Sequence, residues 1–247
     1  MGPIRRFRPS DPLHSMKMAS INPKESAGRR AADMVQNGQT IGLGTGSTVF
    51  FTLQRLSERI SEEGLFIRGV STSVDTEEKA RSMGISTIAL DEATRLDVTI
   101  DGADEIDGDF QMIKGGGGAL LREKVVASIT DREIIVVGRD KVVDRLGLGF
   151  LLPIEFVPFA ASTLARALQD LGCQPAIRMA DLDQPFVTDN GNHIFDCRFP
   201  DGIADPRALE LTVALIPGVV ECGLFIDLAH VVVIGDTDGS VEVQERP

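Results

Sequence analysis

Asp101, Asp104, Lys114 and Glu123 fall within one stretch, LDVTIDGADEIDGDFQMIKGGGGALLREK from Leu96 to Lys124, with four glycines, Gly115 to Gly118, between the lysine and the glutamate. Carboxylates beside an ammonium suit one kind of chemistry, the movement of a proton at a carbon that carries oxygen. One carboxylate lifts and returns the proton while a fixed cation steadies the oxyanion that develops. At helical spacing the neighbours of Glu123 are Ala119, Leu120, Val126 and Ala127, all apolar, so this carboxylate leaves from a dry face. Burial lifts a glutamate toward about 6 to 7, where it can both take and give a proton near neutrality. A glutamate alone on a helix is more often a structural partner of a lysine or arginine. Two aspartates, a lysine and a glycine run in the same unit favour an anionic, oxygen-rich substrate instead.

A second group of residues addresses an anion. After the apolar run Thr40 to Leu43 comes Gly44-Thr45-Gly46-Ser47-Thr48, then a helix with Val49, Leu53, Leu56 and Ile60 on one face. A glycine-rich turn opening a helix presents free backbone N–H groups, and Thr45, Ser47 and Thr48 add hydroxyls, so a bound phosphate is expected here. Two sharper motifs fail on spacing. A dinucleotide fingerprint would need glycine at Ser47 or Val49 and a ribose-binding acid after the next strand, and a Walker loop would need Lys-Ser or Lys-Thr after the glycines. Lys24 and Lys141 are further candidate cations: Lys24 sits unfavourably for the dipole in the first turn of a helix, and Lys141 lies just beyond a strand's carboxyl end.

Positioning these groups takes alternating strands and helices. A helix is expected from Asn22, with Asn22 as cap, Pro23 at its first position, Ala27, Ala31, Met34 and Val35 facing inward and Gly38 ending it. Strands follow at Thr40–Leu43, Leu65–Thr72, Ser86–Leu90, Leu96–Ile100 and Glu133–Gly138, with a helix over Thr76–Met83. This alternation means an α/β fold with a doubly wound, mostly parallel, Rossmann-like sheet, in which ligands bind outside the carboxyl ends of the strands. From about Leu148 the order becomes β-α-β-β-α-β: Leu151–Phe156, Phe159–Leu171, Ala176–Met179, a stretch Phe186–Phe195 with an Asp189-Asn190-Gly191 turn, Pro206–Leu215 and Gly218–Cys222. That is a ferredoxin-like α+β unit, after which HVVVIG (His230 to Gly235) returns to the first sheet. The expected division is a mobile extension over 1–20, a Rossmann-like catalytic domain over 21–147 and 223–247, and an inserted ferredoxin-like domain over 148–222.

At 247 residues and 43% hydrophobic content the chain can bury a full core. A net charge of −12 argues against nucleic acid or an anionic membrane as partner, because no broad basic surface is available to displace counterions. No apolar run reaches a membrane span and no signal-peptide core is present, so a cytoplasmic location is expected. Cys173, Cys197 and Cys222 are odd in number and far apart, which suits free, buried thiols rather than disulfides or zinc. The acidic loop from Asp101 to Asp109 fails as a calcium loop, since Ala103 and Ile106 stand where a ligand and a glycine belong. Glu105, Asp107 and Asp109 are therefore read as a solvated turn, with no metal site expected. His14, His193 and His230 are scattered and give no catalytic triad.

The stretches GTGST (Gly44–Thr48), DGADE (Asp101–Glu105) and KGGGG followed by REK (Lys114–Gly118, Arg122–Lys124) resemble, in order and separation, ribose-5-phosphate isomerase of the A type. With Lys24, Lys141 and the βαββαβ block, the resemblance runs from about Asn22 to the end. It implies an aldose–ketose isomerase without cofactor, interconverting D-ribose 5-phosphate and D-ribulose 5-phosphate through an enediolate in the non-oxidative pentose phosphate pathway. It implies Glu123 as the base, Asp101 and Asp104 as substrate-contacting aspartates, and Lys114 as the loop lysine. Substrate-binding positions would be Lys24, Thr45, Gly46, Ser47 and Thr48, then Asp101, Gly102, Ala103 and Asp104, then Lys114, Gly115, Gly116 and Gly117, and Lys141. The family has alanine where Gly118 stands. The expected partner is a small sugar phosphate, and assembly as a homodimer or homotetramer is expected. A sugar-phosphate-sensing module would keep the phosphate turn without needing Glu123 and would carry a helix-turn-helix, which the residues before Asn22 are not expected to form. A coenzyme A transferase would use its glutamate as a nucleophile.

Overall fold

The computed structural model describes residues 22–246, so the extension read over 1–20 lies outside the described residues. Asn22 caps α1 (Pro23–Ala32), its side chain accepting from the Lys24 amide, with Pro23 in the first turn. This helix ends six residues before Gly38, and Met34 and Val35 follow in turns. Arg59 from the next helix takes the carbonyls of Ala32 and Val35, which satisfies the helix end where it stops. The chain continues through β1 (Thr40–Leu43), α2 (Ser47–Glu63), β2 (Arg68–Ser71), α3 (Val74–Ser82), β3 (Val98–Gly102), β4 (Glu105–Ile106), β5 (Met112–Ile113), α4 (Leu120–Ser128) and β6 (Glu133–Gly138).

Next come β7 (Leu152–Phe156), α5 (Ala161–Asp170), β8 (Gln174–Ile177), β9 (Met179–Asp181), β10 (Gln184–Pro185), β11 (His193–Arg198), α6 (Pro206–Ala214) and β12 (Val219–Cys222). The chain closes with β13 (Leu224–Phe225), β14 (Val231–Gly235) and β15 (Val241–Glu245). The main sheet has the order β15-β14-β6-β3-β1-β2, parallel throughout except for β15 on the edge. Its β1–β3 neighbours are the point where connections leave in opposite directions along the sheet, and a crevice opens at the carboxyl ends of such a pair. The glycine-rich turn follows β1 and the first aspartates end β3, so topology brings the two groups together.

The main sheet is covered on both faces. Ala27 and Ala31 of α1 and Val49, Leu53 and Leu56 of α2 pack on Ile41, Ile100, Val136 and Val233. On the other face Leu120 of α4 packs with Ile106, Met112, Ile135, Val137 and Phe225. A second sheet, β12-β7-β11-β8, is antiparallel throughout and has the strand order of a ferredoxin-like unit. Its core of Leu152, Ile154, Phe156, Leu164 and Leu168 also takes in Ile113, Leu146, Leu224 and Ile226 from beyond 148–222. No helix among the described residues is long and apolar enough to cross a membrane.

Three local expectations are corrected. Ser86–Leu90 is not a strand: only Thr87 bridges to Gly69, and a 3-10 turn over Leu90–Glu92 follows at once. The strand expected over Ala176–Met179 begins at Gln174 and breaks at Arg178, dividing β8 from β9. Glu105 is buried rather than solvated, because its carboxylate accepts from the amides of Gly147 (2.7 Å) and Gly149 (2.9 Å), where the chain leaves for the second sheet.

Candidate active site

Four walls enclose one cavity at the carboxyl edge of the main sheet. The first is the turn after β1, Thr45, Gly46, Ser47 and Thr48, with Lys24 of α1 donating to Ser47 Oγ at 2.9 Å. The second is Gly102, Ala103 and Asp104 after β3, and the third is Lys114, Gly115, Gly116 and Gly117 with Glu123 of α4. Val137, Gly138 and Lys141 at the end of β6 close the fourth. Every residue expected at the site is brought together here except Asp101, which lies behind the lining. Val137 and Gly138 were not anticipated, although their place at a strand's carboxyl end was the available signal.

Asp101 is only 1% exposed and all its oxygens are engaged. Oδ1 accepts from the Thr45 amide (3.0 Å) and the Gly102 amide (2.7 Å), and Oδ2 pairs with Lys114 Nζ at 2.9 Å. Gly44 must be glycine for this, since a Cβ there would sit 2.1 Å from Asp101 Oδ1. Lys114 also donates to the Gly102 carbonyl and lies 3.3 Å from Glu123 Oε2. Burial pulls the lysine's pKa down, but the Asp101 and Glu123 carboxylates outweigh it and hold the ammonium above its ordinary range.

Glu123 is 5% exposed, and burial, reinforced by the charges of Asp101 and Asp104, pushes its carboxyl up to about 8 against the pull of Lys114. Among the described residues its Oε2 has no hydrogen-bond partner of good geometry, and the Lys114 ammonium is its nearest cation. Asp104 accepts from the Gly116 amide at 2.7 Å and is likewise shifted upward by burial. A Cβ at Gly116 would meet Asp104 Oδ1 at 2.5 Å, so the close approach requires glycine. A third buried carboxyl, Glu133 at the start of β6, faces the same cluster, and burial raises it well above the usual range.

In the phosphate turn Thr45 points inward. Its hydroxyl meets Thr72 Oγ1 (2.8 Å) and Ser73 Oγ (2.9 Å), and its amide belongs to Asp101. The donors toward the cavity are the exposed Ser47, the half-buried Thr48 and the amides that open α2, which has no side-chain cap of its own. An uncapped helix N-terminus beside Lys24 and Lys141 is a natural seat for phosphate. The same cavity is lined by Glu123 and Lys114, so an anion seat and a buried carboxyl–ammonium pair share one pocket.

Comparison with known proteins meets this geometry from outside. The family model of ribose 5-phosphate isomerase A (phosphoriboisomerase A) matches residues 68–239. The chain belongs to the ribose 5-phosphate isomerase A family. It is 49% identical to a ribose-5-phosphate isomerase A of Bacillus mycoides over 90% of this chain and 99% of that one. It is 52% identical to that of Roseobacter denitrificans, over 88% and 84%. The solved isomerase of Methanocaldococcus jannaschii superposes with a TM-score of 0.85 at 36% identity, covering 90% of this chain and 97% of its own. A D-ribose-5-phosphate isomerase solved in complex with phospho-erythronic acid gives 0.88 at 35% identity, over 93% and 100%. Gly118, where the resemblance leads one to expect alanine, stands at φ +84° with the Phe186 ring 2.5 Å from where a Cβ would be.

Proposed function

We propose that Glu123 is the base by which this chain interconverts D-ribose 5-phosphate and D-ribulose 5-phosphate. Glu123 takes the C2 proton of the open-chain aldose and returns it to C1, through an enediolate. The Lys114 ammonium, with the glycine-loop amides, faces the oxygens on which charge develops. Asp104, on the cavity wall, orients the sugar hydroxyls and relays their proton. Asp101, behind the lining with its oxygens engaged, acts through Lys114 and the Thr45 turn rather than on a hydroxyl. Ser47, Thr48, Lys24 and Lys141 hold the phosphate, whose binding energy places C1 and C2 against Glu123.

The observation that carries this reading is a glutamate raised to about 8 and placed beside a buried ammonium, in the same cavity as an uncapped helix N-terminus. A relative's complex with phospho-erythronic acid supports it, since that acid's carboxylate imitates the enediolate's pair of oxygens. We take 21–147 with 223–247 as the catalytic domain and 148–222 as the insert, in a cytoplasmic homodimer or homotetramer that needs no cofactor. The test is conversion of ribose 5-phosphate in the presence of chelator. Glu123→Gln should lower kcat at least about a hundredfold with KM near its original value. A Gln variant that turns over normally would refute the assignment.

A further inference from the structure

The glycine loop that faces the substrate is held from outside the main sheet. Arg178, at the break between β8 and β9, donates through Nη1 to the carbonyls of Gly115 (2.9 Å) and Gly116 (3.1 Å). Its other edge is gripped by Asp196 of β11, at 3.0 Å from Nε and 2.5 Å from Nη2. The guanidinium lies 5.8 Å from the centre of the Phe186 ring, the ring that fills the space beside Gly118, and the Phe186 amide donates to the Arg178 carbonyl. Both edges of the fork are therefore occupied, which fixes a planar group in one orientation.

A trans peptide points its N–H opposite to its C=O. With the Gly115 carbonyl on Arg178, the Gly116 amide must point away from the guanidinium, and it is found on Asp104. With the Gly116 carbonyl on Arg178 as well, the Gly117 amide is turned the same way. Gly117 lines the cavity, and its N–H has no partner among the described residues. We propose that Arg178 is a positioning residue for the isomerisation, which sets the Gly116–Gly117 peptide so that the Gly117 amide donates to the oxyanion of the enediolate. Glycines impose no conformation of their own, so the loop needs an external brace to keep that amide aimed before substrate arrives. This rests on the isomerase reading above and adds to it a part supplied by the inserted sheet.

The experiment compares wild type, Arg178→Ala and Arg178→Lys by steady-state kinetics on ribose 5-phosphate, and by the affinity of each for phospho-erythronate and for inorganic phosphate. Arg178→Ala should lower kcat about 10- to 100-fold, somewhat less than outright loss of an oxyanion donor. Phospho-erythronate affinity should fall in parallel, with inorganic phosphate held within about twofold. Added guanidinium should restore part of the rate, and Arg178→Lys, which replaces a fork with a point charge, should fall between. Unchanged kcat, or equal loss of both ligands without rescue, overturns the proposal. If Arg178→Ala does not fold, Asp196→Asn, which loosens the guanidinium without removing it, must reproduce the kcat loss, and an unaffected Asp196→Asn overturns the proposal. A wild-type chain that does not convert ribose 5-phosphate defeats the underlying activity instead.

Discussion

Lys114 Nζ stands 3.3 Å from Glu123 Oε2, in a place where the two side chains are 3% and 5% exposed. The ammonium pulls the carboxyl toward ionisation while burial and two neighbouring aspartates push it toward the neutral acid, and the push wins. Glu123 is thus held close to its titration point near physiological pH while Lys114 stays charged, an arrangement suited to a group that both accepts and donates a proton.

The pH profile follows from that balance. As the proposed base, Glu123 would have to be ionised to take a proton, so kcat/KM should rise with pH through a limb near 8. Asp104 raises the glutamate, so Asp104→Asn should move the limb down; Lys114 lowers it, so Lys114→Met should move it up and cut kcat as well. Profiles in which both variants shift the limb in the same direction would contradict this electrostatic arrangement.

Glu133 gives a stability prediction with a definite sign. Its carboxyl is raised well above 4.5 by burial, so from that pH upward the unfolded chain ionises while the folded chain keeps its proton. The folded state then binds more protons, and its stability falls as pH rises, by up to ~1.4 kcal/mol per unit until the folded pKa is reached. Glu133→Gln removes this penalty. Thermal melts should show little difference near pH 4 and a growing advantage for the variant from pH 5 to 8, and parallel curves would exclude it.

Glu123 is flanked by two ties to the region that carries the second sheet. Arg122 donates to Asn190 Oδ1 and the Asp189 carbonyl, and Lys124 reaches Glu210 (2.9 Å), Glu221 (2.7 Å) and the Cys222 carbonyl (2.8 Å). Lys124→Met leaves two half-buried carboxylates facing one another without a cation. The cost should be roughly 2–3 kcal/mol, below the fully buried case because both acids keep some water. Urea denaturation measures this, and kcat should fall with it as the helix carrying Glu123 loosens.

The phosphate turn separates two kinds of hydroxyl. Ser47→Ala removes a donor at the uncapped end of α2 and should raise KM about tenfold, in keeping with ~1.5 kcal/mol for a bond to a charged group. Thr45→Val removes a hydroxyl that, among the described residues, meets only Thr72, Ser73 and Thr76, so the loss should appear in melting temperature with KM little changed. The opposite pattern would mean that Thr45 turns outward when substrate binds.

The local units were legible without coordinates. The Asn22-Pro23 helix start, the glycine turn between β1 and α2, the run EIIVVG and the dry face beneath Glu123 all depend on residues a few positions apart, and the chain writes short-range preferences directly into its order. Other features came from pairing over long separations. The edge strand β15 is short and largely exposed, and its alternation rests on Val241 and Val243 alone, too brief a period to mark a strand. Glu105 reads as a surface acid until the amides of Gly147 and Gly149 fold onto it, and Asp101 reads as a cavity residue until Thr45 and Lys114 occupy its oxygens. Nothing near Arg178 in sequence announces a brace for glycines more than sixty residues away. Sequence therefore determined which groups are candidates for the chemistry and the short elements that carry them. Tertiary structure decided which of those groups face the cavity and which stand behind it, because strand order and burial are set by contacts that no local pattern encodes.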